Sequence, residues 1–131
     1  MTGFCAIESL DSPNFTDLMD HLESLNDALE GADAWPGRQL AACGDAGVYH
    51  WFLPTEFGGR GWSTQDQLAG YIKLGSACVT TSFLITQRAA AMRRIVASEN
   101  RALIEALYES MVGGDRFMTI GISHLTTSHR H

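Results

Sequence analysis

Apolar residues in this chain recur at three- and four-residue spacing in a series of short blocks, several of them closed by glycine or proline. That period belongs to helices that bury one stripe, so it restricts the chain to a helical assembly more than any other feature does. Phe15, Leu18, Leu22, Leu25 and Leu29 follow Ser12-Pro13 and end at Gly31, which predicts an amphipathic helix over about 13–30. Trp35-Pro36-Gly37 breaks the chain, and 38–46 reads as a short helix stopped by Gly47. The run VYHWFL at 48–53 is apolar and aromatic; without a neighbouring run to pair with, it is expected as a buried connector, with His50 a satisfied, partly buried histidine.

Ser63-Thr64-Gln65-Asp66 has the form of a capping box and predicts a helix over about 64–77 with Leu68, Tyr71, Ile72 and Leu74 as its stripe. A further helix over about 80–96 carries Phe83, Leu84, Ile85 and Met92 and ends at Arg93-Arg94, cations suited to a helix C-terminus. Ser98 caps a last helix over 99–112, with Leu103, Ile104, Leu107 and Met111, stopped by Gly113-Gly114. Beyond it, RFMTIGI at 116–122 is dense in β-formers and reads as a strand with no partner in this chain, followed by the polar tail SHLTTSHRH. The expected class is all-α, four to five helices ending in one strand.

Charge and cysteine usage narrow the function classes. Eight of the 15 acids lie in residues 1–37, which contain no Lys or Arg, and the net charge is −6. Such a segment repels phosphate backbones and anionic lipid, so nucleic acid is not the expected partner. Cys5, Cys43 and Cys78 form no CxxC pair, and free thiols in a reducing cytoplasm are the expectation. No apolar run is long enough to span a bilayer. His124, His129 and His131 crowd the tail without an acid or cysteine beside them, so no metal site is assigned.

The glycines of Gly58-Gly59-Arg60-Gly61 match neither phosphate-binding pattern, G-x-x-x-x-G-K-[ST] or a G-x-G-x-x-G between strand and helix, and read as a tight inter-helix loop. In context they also form part of an ordered set of features. Pro54-Thr55-Glu56-Phe57-Gly58-Gly59-Arg60-Gly61, then Ala77-Cys78-Val79-Thr80-Thr81-Ser82, then the helix from Ser98 to Leu107, then Gly114-Asp115 before a β-rich stretch, resembles the N-terminal region of the acyl-CoA dehydrogenase family over nearly the whole chain.

That resemblance implies a helical domain at 1–112 and, at 113–131, the start of a middle β-domain that is otherwise missing. It implies a parent oxidoreductase using FAD to form an α,β-double bond in an acyl-CoA thioester. A carboxylate takes the α-proton and the β-hydrogen leaves as hydride to the flavin; the family's base lies in a C-terminal domain, so no catalytic residue is named in this chain. It further implies a homo-oligomer, an electron-accepting flavoprotein or other acceptor, and Ser82, Phe83 and Thr86 on the acyl-pocket side of their helix.

The family's Thr-Glu-Pro-x-x-Gly-Ser-Asp, which approaches the flavin, corresponds here to 122–129 with the spacing one residue short. Ile122 or Ser123 takes the threonine position, and Ser128 the serine. The alternative from another class is a non-enzymatic helical module that binds a protein partner.

Overall fold

The computed structural model describes residues 4–121, and among them the chain is all-α with five helices. They are α1 (Pro13–Ser24), α2 (Gly37–Asp45), α3 (Thr64–Ala77), α4 (Val79–Ala97) and α5 (Arg101–Val112). Three short 3-10 turns, Asn26–Leu29, Val48–Phe52 and Thr55–Phe57, complete the regular structure. α4 is the central element, touching α2, α3, α5 and the Val48–Phe52 turn, while α1 packs on α3.

Most starts and stops follow local chemistry. Pro13 opens α1, where its missing N–H costs no helical bond. Ser63 and Asp66 form the expected capping box: Asp66 N donates to Ser63 Oγ at 3.1 Å and Ser63 N to Asp66 Oδ2 at 3.3 Å. The helix expected over 13–30 stops at Ser24, and its last apolar residues continue as the 3-10 turn. α5 begins later than Ser98 suggests. The Ser98 hydroxyl instead donates to Ile95 O and closes α4, Glu99 turns through φ +54°, and Asn100 caps α5 by accepting from Leu103 N at 3.1 Å.

The run at 48–53 is a buried connector, as its composition implied. Trp51 is fully buried, stacked on Trp62 with centroids 4.3 Å apart and tilted against Phe15 at 5.3 Å. Its indole N–H finds no acceptor among the described residues. α3 meets Trp51 through Gly70, where an added Cβ would strike the indole at 2.8 Å. This explains one departure from expectation: α3 buries Gly70, Leu74 and Ala77, while Leu68 and Ile72 of the predicted stripe are 59% and 66% exposed. α4 departs likewise, burying Ile85 and Met92 but leaving Phe83 outside.

The strand expected at 116–122 is not formed over 116–121; Ile122 lies outside the described residues. β-forming side chains need a neighbouring ladder to satisfy their backbone, and the described residues provide none. This segment turns back over the helices. Phe117 meets Trp35 edge-on at 5.3 Å, and Gly114 crosses α2 so closely that a Cβ there would lie 2.6 Å from Ala41 Cα.

Candidate functional site

The loop between the buried connector and α3 uses its own amide donors. Phe57 N and Gly59 N both donate to Pro54 O, Gly58 N to Thr55 O, and Arg60 N to His50 O, at 2.9–3.0 Å. His50 Nδ1 lies 3.0 Å from Gly58 O. A phosphate cradle needs amides aimed outward at the anion, and four consecutive ones here are committed inward. Gly58 and Gly61 adopt φ of +73° and +65°, and a Cβ on Gly59 would fall 1.7 Å from Leu53 O. The glycines therefore serve a tight joint between helices.

The residues that form a coherent surface lie on the α3–α4 hairpin. The two helices run antiparallel about the joint at Cys78, held side by side by Ser82 Oγ donating to Tyr71 O at 3.2 Å and Arg93 Nη2 to Gln67 Oε1 at 2.8 Å. Leu68 and Ile72 on α3, and Val79 and Phe83 on α4, stand one turn apart in pairs on the side away from the core. Val79 is 75% exposed and Phe83 60%. Between Gln67 and Met92 the only charged residues are Lys73 and Arg88, and both turn inward. Lys73 Nζ donates to Leu10 O at 2.5 Å and sits 5.2 Å from the Phe15 ring centroid. The hairpin's outer face thus carries no charge along its middle.

The three residues expected at an acyl pocket separate in space. Phe83 projects outward on that face. Thr86 is half-buried one turn on, its hydroxyl donating to Phe83 O at 2.6 Å. Ser82 is buried in the seam with α3 through its bond to Tyr71. Ile122, Ser123 and Ser128, expected near a flavin, lie outside the described residues, as do His124, His129 and His131.

Arg88 was not legible as a special residue. It is 1% exposed, its guanidinium 3.8 Å from the Tyr49 ring centroid, and it faces no carboxylate within ion-pair distance among the described residues. Instead it gathers backbone carbonyls around the end of α5. Nη2 donates to Ser110 O at 2.7 Å, Met111 O at 3.1 Å and Gly113 O; Nε donates to Met111 O at 3.3 Å; Nη1 donates to Arg116 O at 2.5 Å. A helix C-terminus leaves carbonyls unpaired and partly negative, so a buried cation there is stabilised without a counter-anion.

Burial lowers the Arg88 pKa from its ordinary value, and the neighbouring Tyr49, Asp115 and Cys43 act the other way. Burial likewise pushes the Cys43 thiol and the Tyr49 phenol well above their usual ranges, so neither is a nucleophile at neutral pH. Among the described residues no group of three or more His, Cys, Asp and Glu could hold a metal ion, and no helix is long and apolar enough to cross a membrane.

No protein-family model, curated protein or solved structure matches this chain.

Proposed function

We propose that this chain is the N-terminal helical part of an acyl-CoA dehydrogenase-like oxidoreductase, in which the α3–α4 hairpin forms one wall of the acyl-chain pocket. The observation that supports the reading is the exposed, uncharged face of that hairpin, with Phe83 at its centre and Thr86 beside it. An acyl chain is bound by apolar surface, with few polar groups. The ordered motifs from Pro54 to Asp115 support the same family. In such an enzyme FAD supplies the hydride-accepting chemistry, and the described residues would exclude water and gauge the length of the acyl group.

The test is to read the source DNA beyond His131, express the complete open reading frame, and profile acyl-CoA thioesters of increasing chain length with and without Phe83→Ala. The reading expects a yellow protein whose chain-length preference shifts toward longer acyl groups in the variant. A stop codon directly after His131, or a preference that does not move, would overturn it. The first of those outcomes would favour the non-enzymatic interaction module, which the same uncharged face would equally serve. The 131-residue chain by itself is expected to purify colourless and to leave flavin fluorescence unchanged on titration with FAD, because binding needs convergent groups from several walls.

A further inference from the structure

We infer that the outer face of the α3–α4 hairpin is a self-docking surface, on which a second copy of this chain lays the same hairpin to complete a four-helix bundle. The inference stands on the hairpin alone and is an alternative to the acyl-CoA reading, since a second copy seated on this face would leave no room there for an acyl chain.

Its first support is the pattern of exposure. Leu68, Ile72, Val79 and Phe83 are 59–75% exposed and occupy one side of two packed antiparallel helices. Together they present on the order of 500 Å², toward the upper end of the largest apolar patch an ordinary monomer shows. A stable pair buries about 800 Å² per partner. The neutral neighbours Gln65, Thr80, Thr86, Gln87 and Ala90 extend the face toward that size. Side chains four apart on each helix make the ridges and grooves that helices of a bundle interdigitate.

Charge selects the occupant. With a net charge of −6, two copies repel through most approaches, above all through α1, whose Asp17, Asp20 and Glu23 are exposed. The middle of the hairpin face is the exception, because between Gln67 and Met92 its two cations are spent inside on Leu10 O and on the carbonyls around the end of α5, while the exposed Arg93 and Arg94 stand beyond it at one end. Two identical uncharged faces meet without like-charge repulsion and without desolvating an ion. Depletion of charge with retained aromatic and aliphatic residues is also the composition of an interface centre.

The test is sedimentation velocity of the 131-residue chain from low micromolar to several hundred micromolar, alongside the double variant Ile72→Glu with Phe83→Glu and the control Leu103→Glu. Leu103 is an exposed apolar residue on α5, away from the hairpin. The expected result is a reversible dimer for the wild type and the control, with a dissociation constant about 100-fold higher or undetectable pairing in the double variant. Should the glutamates unfold the hairpin, which circular dichroism would show, Ile72→Ser with Phe83→Ser removes apolar area without adding charge and is expected to weaken pairing in the same direction.

A wild type that stays monomeric throughout, a hairpin variant that pairs as tightly as wild type, or equal loss of pairing in Leu103→Glu would each overturn the proposal. So would a monomer that instead co-sediments with phosphatidylcholine vesicles, which would assign the face to lipid.

Discussion

Replacing Arg88 by methionine tests whether the carbonyls around the end of α5 depend on a buried cation. Methionine keeps length, bulk and helix propensity, so the substitution removes the donors and little else. Two effects oppose each other. Losing a buried charge relieves its desolvation, and buried ions can often be replaced by apolar groups at no net loss. Here, however, the acceptors are backbone carbonyls that remain after the substitution. Met111 is fully buried, so its carbonyl would stay dry and unpaired, a penalty of about 1–3 kcal/mol. Arg116 is exposed and Ser110 half-buried, so water replaces part of what they lose, and about 1 kcal/mol more is assigned to them and Gly113 together.

The expected net change is a destabilisation of about 3 kcal/mol, or roughly a 10 °C fall in Tm for a chain of this size. Urea unfolding followed by circular dichroism measures it, with hydrogen exchange at residues 113–118 reporting whether the returning segment is released first. Arg88→Lys should lose most of the same stability, since one ammonium cannot reach four separated carbonyls while stacking on Tyr49. A methionine variant within about 0.5 kcal/mol of wild type would refute the reasoning.

Gly59→Ala should destabilise by about 3 kcal/mol or more, because its Cβ would overlap the Leu53 carbonyl, whereas Gly121→Ala, with nothing within 4 Å, should be neutral; paired urea midpoints decide this. Ser63→Ala removes the two bonds of the Ser63 hydroxyl while its backbone N–H stays on Asp66, and should lower stability by about 1 kcal/mol, read as a thermal shift that Ser63→Thr largely restores. Burial raises the Tyr71 phenol from 10 to about 12, with Arg93 pulling the other way. Below pH 10 the phenol is neutral whether folded or unfolded, and above it the unfolded chain releases the proton first. Stability should therefore fall as pH rises from 10 to 12, and less so in Tyr71→Phe, as urea midpoints across that window would show.

The five helices were legible because most of their ends carry a signal within about one turn; the end of α1, expected at 30 and found at Ser24, is the exception. Pro13, the Ser63–Asp66 pair and Gly47 act on backbone groups close in sequence, and the structure uses all three as read. Two competing caps blurred the start of α5: both Ser98 and Asn100 can accept a helix N–H, and only the left-handed turn at Glu99 assigns one to each helix. The segment at 116–121 was misread for a different reason. Its β-forming side chains are also good partners for Trp35 and the helical body, and side-chain composition carries no information on whether a ladder is present.

The α3–α4 hairpin was misread because periodicity gives a helix's stripes and not their orientation. On α3 the series Leu68, Ile72 and the series Gly70, Leu74, Ala77 both have helical spacing, and hydrophobicity favours the first. Trp51 reverses the choice, since a bulky indole against the helix needs the small residues beneath it, and turning Gly70 inward turns Leu68 and Ile72 out. On α4 the buried ridge is Thr81, Ile85, Arg88 and Met92, at spacings of four, three and four. Arg88 therefore occupied a core position in the sequence itself, concealed by the habit of assigning arginines to water.

Both departures on α4, the cation inside and the aromatic outside, follow from its lying at the centre of the molecule. Its inner side must meet carbonyls around the end of α5 that only a strong donor can satisfy. Its outer side, relieved of that need, presents Val79 and Phe83 without a charge to keep them wet. A helix with its cation inside and its aromatic outside is stable in water only while the inner bonds are made, and it gains further stability when the outer face is covered.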